Sequence, residues 1–263
     1  MTVTSSTYMF DNSTKDAAQQ VRLLADILDP HTQAVLGNIF MDDDWRCLDL
    51  GSGGGSVARW LEANGIAHVV AMDRDTRYIT ATDVIEPRQQ DLLDADLGDG
   101  EYDLIHARLL YMHLPRREEL LARAARALKP GGYLVISDWD CTHLDDMLLT
   151  ADDEVHDAFT AFQHTLIGLG EAVGMAPGWA RRLPAAFRTA GLADVTGQVY
   201  NGFWTGGQPG MQLHACNSHQ KEKALLDAGL TRTQLDFLRA GMEDPTVTGY
   251  SYPMYTAVGR RPR

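Results

Sequence analysis

Cys47-Leu48-Asp49-Leu50-Gly51-Ser52-Gly53-Gly54-Gly55-Ser56 is the stretch that decides how this chain folds. An apolar run enters it. Glycines stand at 51, 53 and 55, and a helical pattern of Val57, Trp60 and Leu61 leaves it. That order reads as strand, tight turn, helix. Glycine adopts left-handed backbone conformations at little cost and lets a ligand approach the main chain. The start of the following helix presents unpaired N–H groups. The turn is therefore a cradle for a nucleotide-like ligand.

Downstream, the pattern repeats. A second strand, 68–72, ends on Asp73, a short helix is expected at 75–81, and a weak third strand precedes Gln90-Asp91-Leu92. A fourth strand covers 102–106. Pro115 is placed to open a helix with Leu120, Leu121, Ala124 and Leu128 on one face. Lys129-Pro130-Gly131-Gly132 stops that helix and turns into a fifth strand at 133–137. Alternating strands and helices with short connections imply an α/β fold, a doubly wound, Rossmann-like parallel sheet. Ligands bind such sheets at the carboxyl ends of the strands. Asp49, Asp73, Asp91 and His106 all fall at or just after strand ends, so one rim collects them.

Upstream, Tyr8, Met9 and Phe10 form an apolar cluster in a polar start. Asn12 or Ser13 caps a helix with Val21, Leu24 and Leu28 on its buried face. Asp29-Pro30 is expected to end it and start a second helix carrying Val35, Leu36, Ile39 and Phe40. After residue 137 the alternation breaks into a helical insertion over 138–178. It resumes with a helix near 180–190, a strand near 193–200, helices near 209–228 and 231–241, and a closing strand at 253–259.

Composition bounds the function classes. The chain has 263 residues, 44% hydrophobic and 22% charged, with net charge −13. No basic stripe is visible, which argues against a nucleic-acid partner. No apolar run approaches the ~18 residues of a membrane span. Cys47, Cys141 and Cys216 form no CxxC, and no leader pattern opens the chain. The expectation is a cytoplasmic protein with reduced thiols, monomer or homodimer, acting on a small molecule.

Two kinds of ligand use a strand–glycine-turn–helix. The dinucleotide fingerprint G-x-G-x-x-G would place a third glycine where Ser56 stands, and Asp49 would oppose a pyrophosphate. A cationic or zwitterionic ligand suits these residues better. Asp49-Leu50-Gly51-Ser52-Gly53-Gly54-Gly55 resembles the first motif of class I S-adenosylmethionine-dependent methyltransferases. Asp73 resembles the family's ribose-binding acid, Asp91-Leu92 the pair flanking the adenine, and Leu128-Lys129-Pro130-Gly131-Gly132 a further family mark before the fifth strand. The resemblance covers 45–137 closely. It implies a seven-stranded sheet whose last strand is antiparallel, here 253–260.

The resemblance divides the chain into an N-terminal arm and helical cap (1–44), a cofactor-binding core (45–137), a helical lid insertion (138–178) and the rest of the core sheet with extra helices (179–263). The entry segment looks like that of bacterial natural-product methyltransferases. For the cofactor it implies Tyr8, Gln20, Arg22, Asp49, Gly51, Ser52, Gly53, Gly55, Asp73, Arg74, Asp91, Leu92, His106 and Arg108.

Methyl transfer from a sulfonium needs donor and acceptor held in line, water excluded, and in some cases a base. His is the natural base near neutral pH. The candidates are His106 at the end of the fourth strand, His143 and His164 in the insertion, and Asp138 after the fifth strand. His113 lies in the segment after the fourth strand. Asp138, Asp140, His143, Asp145 and Asp146 match no rigid metal template, so no metal is expected. Aromatic residues outside the core (Tyr8, Phe10, Phe159, Phe162, Trp179, Tyr200, Phe203, Trp204, Tyr250, Tyr252) point to an apolar acceptor pocket. The reading is methyl transfer to a small, largely apolar metabolite, in secondary metabolism such as antibiotic biosynthesis. The alternatives are a non-methyl-transfer reaction on the same fold, such as a cyclisation, an NAD(P)-dependent oxidoreductase, or a non-enzymatic cofactor-binding protein.

Overall fold

The structure is a computed structural model that describes residues 15–263. Tyr8, Met9, Phe10 and the expected caps Asn12 and Ser13 lie outside the described residues. The chain divides into two compact units. One comprises Leu28–Trp139, Gly178–Tyr200 and Met254–Arg263; the other comprises the described residues up to Ile27, Asp140–Pro177 and Asn201–Pro253.

The first unit holds seven strands: β1 (Arg46–Leu50), β2 (His68–Asp73), β3 (Ile85–Gln89), β4 (Tyr102–Arg108), β5 (Leu128–Trp139), β7 (Ala193–Tyr200) and β10 (Met254–Arg260). They form one sheet in the order β3-β2-β1-β4-β5-β10-β7. All neighbours are parallel except β10, which runs antiparallel to both β5 and β7. That is the doubly wound sheet with a reversed closing strand. The strand order turns about β1, with β2 on one side and β4 on the other, so the carboxyl end of β1 is the switch point. Pro87 is tolerated in β3 because β3 is an edge.

Helices α2 (Ser56–Ala63), α3 (Arg117–Ala127) and α5 (Leu183–Thr189) belong to this unit. Val57, Ala58 and Leu61 of α2 pack with Cys47, Val69, Ala71, Leu104 and Val135 of the strands, and Val35, Leu36 and Ile39 join them. Leu48, Leu50 and Leu61 are fully buried, each contributing about 1.5–3 kcal/mol.

Two local expectations fail. Helix α1 runs unbroken from Lys15 to Leu36 with Pro30 inside it, where two helices were expected. Proline removes one helical hydrogen bond, but Asp29, His31 and Thr32 around it bond to side chains of β4, α2 and β10. Those bonds hold the helix through the break. Residues 75–81 form no helix. Side chains take the amides a helix would need: Asp73 Oδ1 accepts from Asp75 N, and Asp75 Oδ1 from Arg77 N. Such local bonds compete with helix formation.

The second unit contains α4 (Asp153–Ala172), α6 (Pro209–Gln220), α7 (Glu222–Asp227) and α8 (Arg232–Glu243), with a three-stranded sheet of β6 (Leu148–Thr150), β9 (Thr248–Tyr250) and β8 (Phe203–Thr205). Asp152 caps α4 by accepting from Val155 N, and Thr231 with Gln234 forms a capping box on α8. Within this unit Tyr252 donates its hydroxyl to Gln163 Oε1, and Gln163 Nε2 donates to His214 Nδ1 at 3.0 Å. Phe159 and Trp204 stand against the His214 ring at 5.0 and 5.8 Å. Burial brings the His214 pKa down to about 3. Phe159, Phe162, Trp204 and Tyr252 are thus core residues here, and Trp179 is a core residue of the sheet unit. Among the described residues, the aromatics invoked for an acceptor pocket that stay exposed are Tyr200, Phe203 and Tyr250.

Candidate active site

The glycine turn follows β1. Gly51, Gly53 and Gly55 stand at φ +69°, +53° and +69°. Gly51 N and Ser52 N both donate to Met72 O, at 2.8 and 3.2 Å, and Ser52 Oγ donates to Asp49 O at 2.7 Å. A Cβ on Gly51 would lie 3.1 Å from Leu110 Cδ1, whereas one on Gly53 would meet nothing within 4 Å. The turn is closed at Gly51 and open at Gly53, the side a ligand can approach. Gly55 caps α2 with no side-chain bond, so the first amides of α2 keep their donors for a ligand.

Asp73 ends β2 and is buried. Its Oδ2 accepts from Gly53 N at 2.9 Å and its Oδ1 from Asp75 N at 3.0 Å. Each oxygen keeps a further lone pair, the acceptor pattern that two vicinal hydroxyls require. Burial raises its pKa, and the charges of Asp49 and Asp75 add to that, against the two backbone bonds that lower it.

Asp49 and His106 stand directly opposite in the β1–β4 register. Asp49 Oδ1 lies 2.7 Å from His106 Nδ1, with both side chains at 3% exposure or less. A carboxylate only accepts, so Nδ1 carries the hydrogen of this contact. The ring's Nε2 is buried without a partner among the described residues.

Arg108, two residues on, donates to Asp29 Oδ1 and to Thr32 Oγ1, each at 2.9 Å, and Ser56 Oγ donates to the same Asp29 oxygen at 2.9 Å. The end of β4 and the start of α2 are tied to α1 through one carboxylate. Beside them His31 Nε2 lies 2.9 Å from Thr256 Oγ1, which lies 2.8 Å from Ser137 Oγ. The His31 ring stacks on Tyr200 at 4.8 Å. Burial, with the Arg108 charge added, lowers the His31 pKa. The sequence reading passed over Asp29, His31 and Thr32 as members of this rim. The available signal was a helical turn, Asp29-Pro30-His31-Thr32, with four non-apolar residues between two apolar stretches.

The other expected residues fall in several places. Leu92 is buried, and exposed Asp91 turns its carboxylate to Leu93 N at 3.0 Å. The Arg74 side chain is exposed, and its carbonyl accepts from Gln89 Nε2. Asp138 is fully buried and accepts from Met112 N at 3.1 Å, with burial pushing it up to about 8. Gln20, Arg22, His143 and His164 belong to the other unit. Gln20 donates to Asn217 Oδ1 at 2.8 Å, and Arg22 is exposed. His143 lies against Thr142, and exposed His164 pairs with exposed Asp145 at 2.6 Å. The structure thus brings together the glycine turn, Asp49, Asp73, His106 and Arg108. Tyr8 lies outside the described residues. Among the described residues no three His, Cys, Asp or Glu side chains converge as metal ligands, and no helix is long and apolar enough to cross a membrane. Cys47, Cys141 and Cys216 are buried, and none is in a disulfide among the described residues.

Known proteins are similar to this chain in part of its sequence or in fold. A phosphoethanolamine N-methyltransferase of Plasmodium falciparum is 25% identical over 149 residues, 53% of this chain and 54% of that protein. Methyltransferase str3 of Strobilurus tenacellus is 29% identical over 144 residues, 48% of this chain and 51% of that protein. The chain spans about half the length of these two relatives. The solved structure of Haemonchus contortus phosphoethanolamine N-methyltransferase 2, in complex with phosphomonomethylethanolamine and S-adenosylhomocysteine, superposes with a TM-score of 0.60. It is 14% identical and covers 98% of this chain and 60% of that one. The Bacillus subtilis YcgJ protein superposes at 0.58, with 16% identity, 89% of this chain and 99% of that one. At such identities the likeness is one of fold. A family model described as a methyltransferase domain matches residues 14–175, more than half of the chain. With the glycine turn, the buried carboxylate of Asp73 and the reversed closing strand in place, the chain belongs to the S-adenosylmethionine-dependent methyltransferases.

Proposed function

We propose that this protein transfers a methyl group from S-adenosylmethionine to a small, largely apolar metabolite of secondary metabolism, with His106 as the base where the acceptor carries a proton. The cofactor supplies a methyl group already activated on a sulfonium. The glycine turn and the α2 amides hold its polar tail, Asp73 takes the ribose hydroxyls, and Leu92 lies along the adenine. The observation that carries the proposal is the Asp49–His106 pair: a buried carboxylate holds the imidazole by Nδ1, and Nε2, without a partner among the described residues, is the nitrogen that would take the proton. Of the three candidate histidines, His143 and His164 are exposed and lack that arrangement.

The acceptor class follows from charge. The chain carries net charge −13, and Arg108, the cation at the end of β4, is matched by Asp29. A phosphorylated acceptor finds no support there, whereas a neutral one has no charge to neutralise. A relative from Coprinopsis cinerea, 34% identical over 119 residues, is named a secondary metabolism regulator, which supports the metabolic setting.

The test is release of S-adenosylhomocysteine across an acceptor panel: phenols and prenylated metabolites against phosphoethanolamine and sarcosine. Turnover with the first group is expected; turnover confined to the second overturns the acceptor class. With an active acceptor, His106→Ala is expected to lose about 100-fold or more in kcat, with cofactor affinity within a few-fold of wild type. An unchanged kcat removes His106 from proton transfer.

A further inference from the structure

The loop leaving β4 holds a strained residue. Leu109 stands at φ +51°, a left-handed conformation that residues with a side chain rarely adopt. Such strain persists only where neighbouring contacts impose it. Here they come from β5. Leu109 N donates to Ser137 O at 2.8 Å. The next residue of β5, Asp138, takes Met112 N at 3.1 Å on its Oδ2. That bond fastens the far side of the loop to a side chain with no exposure.

That loop reaches the cofactor turn. Leu110 Cδ1 and Cδ2 lie 3.1 and 3.4 Å from where a Cβ on Gly51 would stand. Leu110 thus occupies the space against the first glycine. The order is Asp138 on β5, then the Met112 amide that fastens the loop, then the Leu110 side chain within that loop, then Gly51.

We infer that Asp138 is a positioning residue for the methyl transfer: it holds the 109–113 loop in its strained form, and through Leu110 it keeps the glycine turn in the shape that takes the cofactor. The inference rests on the turn being the cofactor's seat. The Asp138 Oδ2 is turned to the loop, at Met112 N. Burying a carboxyl group in this part of the sheet costs stability that an apolar residue would not, and Oδ1 has no partner among the described residues. What the side chain supplies is the set of acceptor positions for the loop. Arg117 on α3 is the cation that acts on it, and Tyr111 is the titratable neighbour in the loop itself.

The test is calorimetric binding of S-adenosylhomocysteine to the full chain, with thermal melts alongside. Asp138→Ala is expected to weaken binding about tenfold, and Asp138→Asn, which keeps an acceptor oxygen, to stay within about threefold of wild type. Leu110→Ala is expected to weaken binding by itself. The double variant D138A/L110A is expected to bind no worse than D138A alone, because both act on one path. Wild-type affinity in a folded D138A or L110A overturns the inference, as does full additivity of the two losses. Where D138A does not fold, L110A alone decides. Failure of the wild type to bind S-adenosylhomocysteine would instead overturn the reading of the turn as a cofactor seat.

Discussion

At the scale of single residues, three glycines that look alike in the sequence do different work. Gly51 and Gly53 both stand at positive φ, yet Leu110 crowds only the first. Gly51→Ala therefore combines backbone strain with displacement of Leu110 and is expected to cost about 2–3 kcal/mol of stability. Gly53→Ala carries the backbone strain alone, about 1–2 kcal/mol. Its added methyl projects into open space on the ligand side, so its larger effect is expected on cofactor affinity. Urea denaturation with S-adenosylhomocysteine titration separates the two; equal stability losses would show that Leu110 yields freely. The same scale explains Asp49. The sequence places a carboxylate before the turn as a partner for a cationic ligand. The structure gives it to His106 at 2.7 Å, so its charge acts through an imidazole.

At the scale of elements, α1 shows how tertiary bonds outweigh local propensity. Pro30 lies inside a 22-residue helix. An interior proline costs up to ~3 kcal/mol through the lost hydrogen bond and the ring's clash with the preceding turn. The rim contacts of Asp29, His31 and Thr32 offset that cost. Pro30→Ala is expected to raise stability by about 1 kcal/mol or more, measured by chemical denaturation. A loss instead would mean that the proline's geometry is what aligns Asp29 with Arg108 and Ser56. The strands expected at 46–50, 68–72, 102–106 and 133–137 were legible as apolar runs because a strand buried on both faces must be apolar throughout, whereas residues 128–132, expected as a helix end and turn, belong to β5. The segment 75–81 was misread because Asp73 and Asp75 offer the backbone side-chain partners, which periodicity does not register.

At the scale of the whole molecule, each unit holds a histidine kept neutral: His31 in the sheet unit and His214 in the other. A histidine whose folded pKa lies below 6.5 contributes stability that is complete above 6.5 and lost as pH falls through and below it. For His214 the loss runs from 6.5 toward about 3, at up to about 1.4 kcal/mol per pH unit. Asp138 has the opposite sign: with its folded value raised to about 8, the contribution from its bound proton is complete below its unfolded value of 3.8 and lost as pH rises toward 8. The two oppose each other in the wild type, so a variant isolates the histidine. The melting temperature of wild type is expected to fall relative to His214→Gln as pH drops from 7 to 5. Parallel curves would show that His214 carries no such penalty.

The order of strands and helices, the glycine turn and its carboxylates were readable from sequence because each is a local pattern: apolar runs, glycine spacing, an acid at a strand end. Those patterns were enough for the fold class and the kind of ligand. What only the tertiary structure decided were the partners. Asp49 meets His106 because β1 and β4 are neighbours although 57 residues apart. Asp138 turns into the loop after β4, and Asp29, His31 and Thr32 meet β4, β10 and α2. Of the eight described aromatic residues that pointed to a pocket, five are instead spent in the cores of the two units. A side chain's residue type states what bonds it can make. Which bond it makes depends on the group that folding places within about 3 Å of it, and no spacing along the chain encodes that distance.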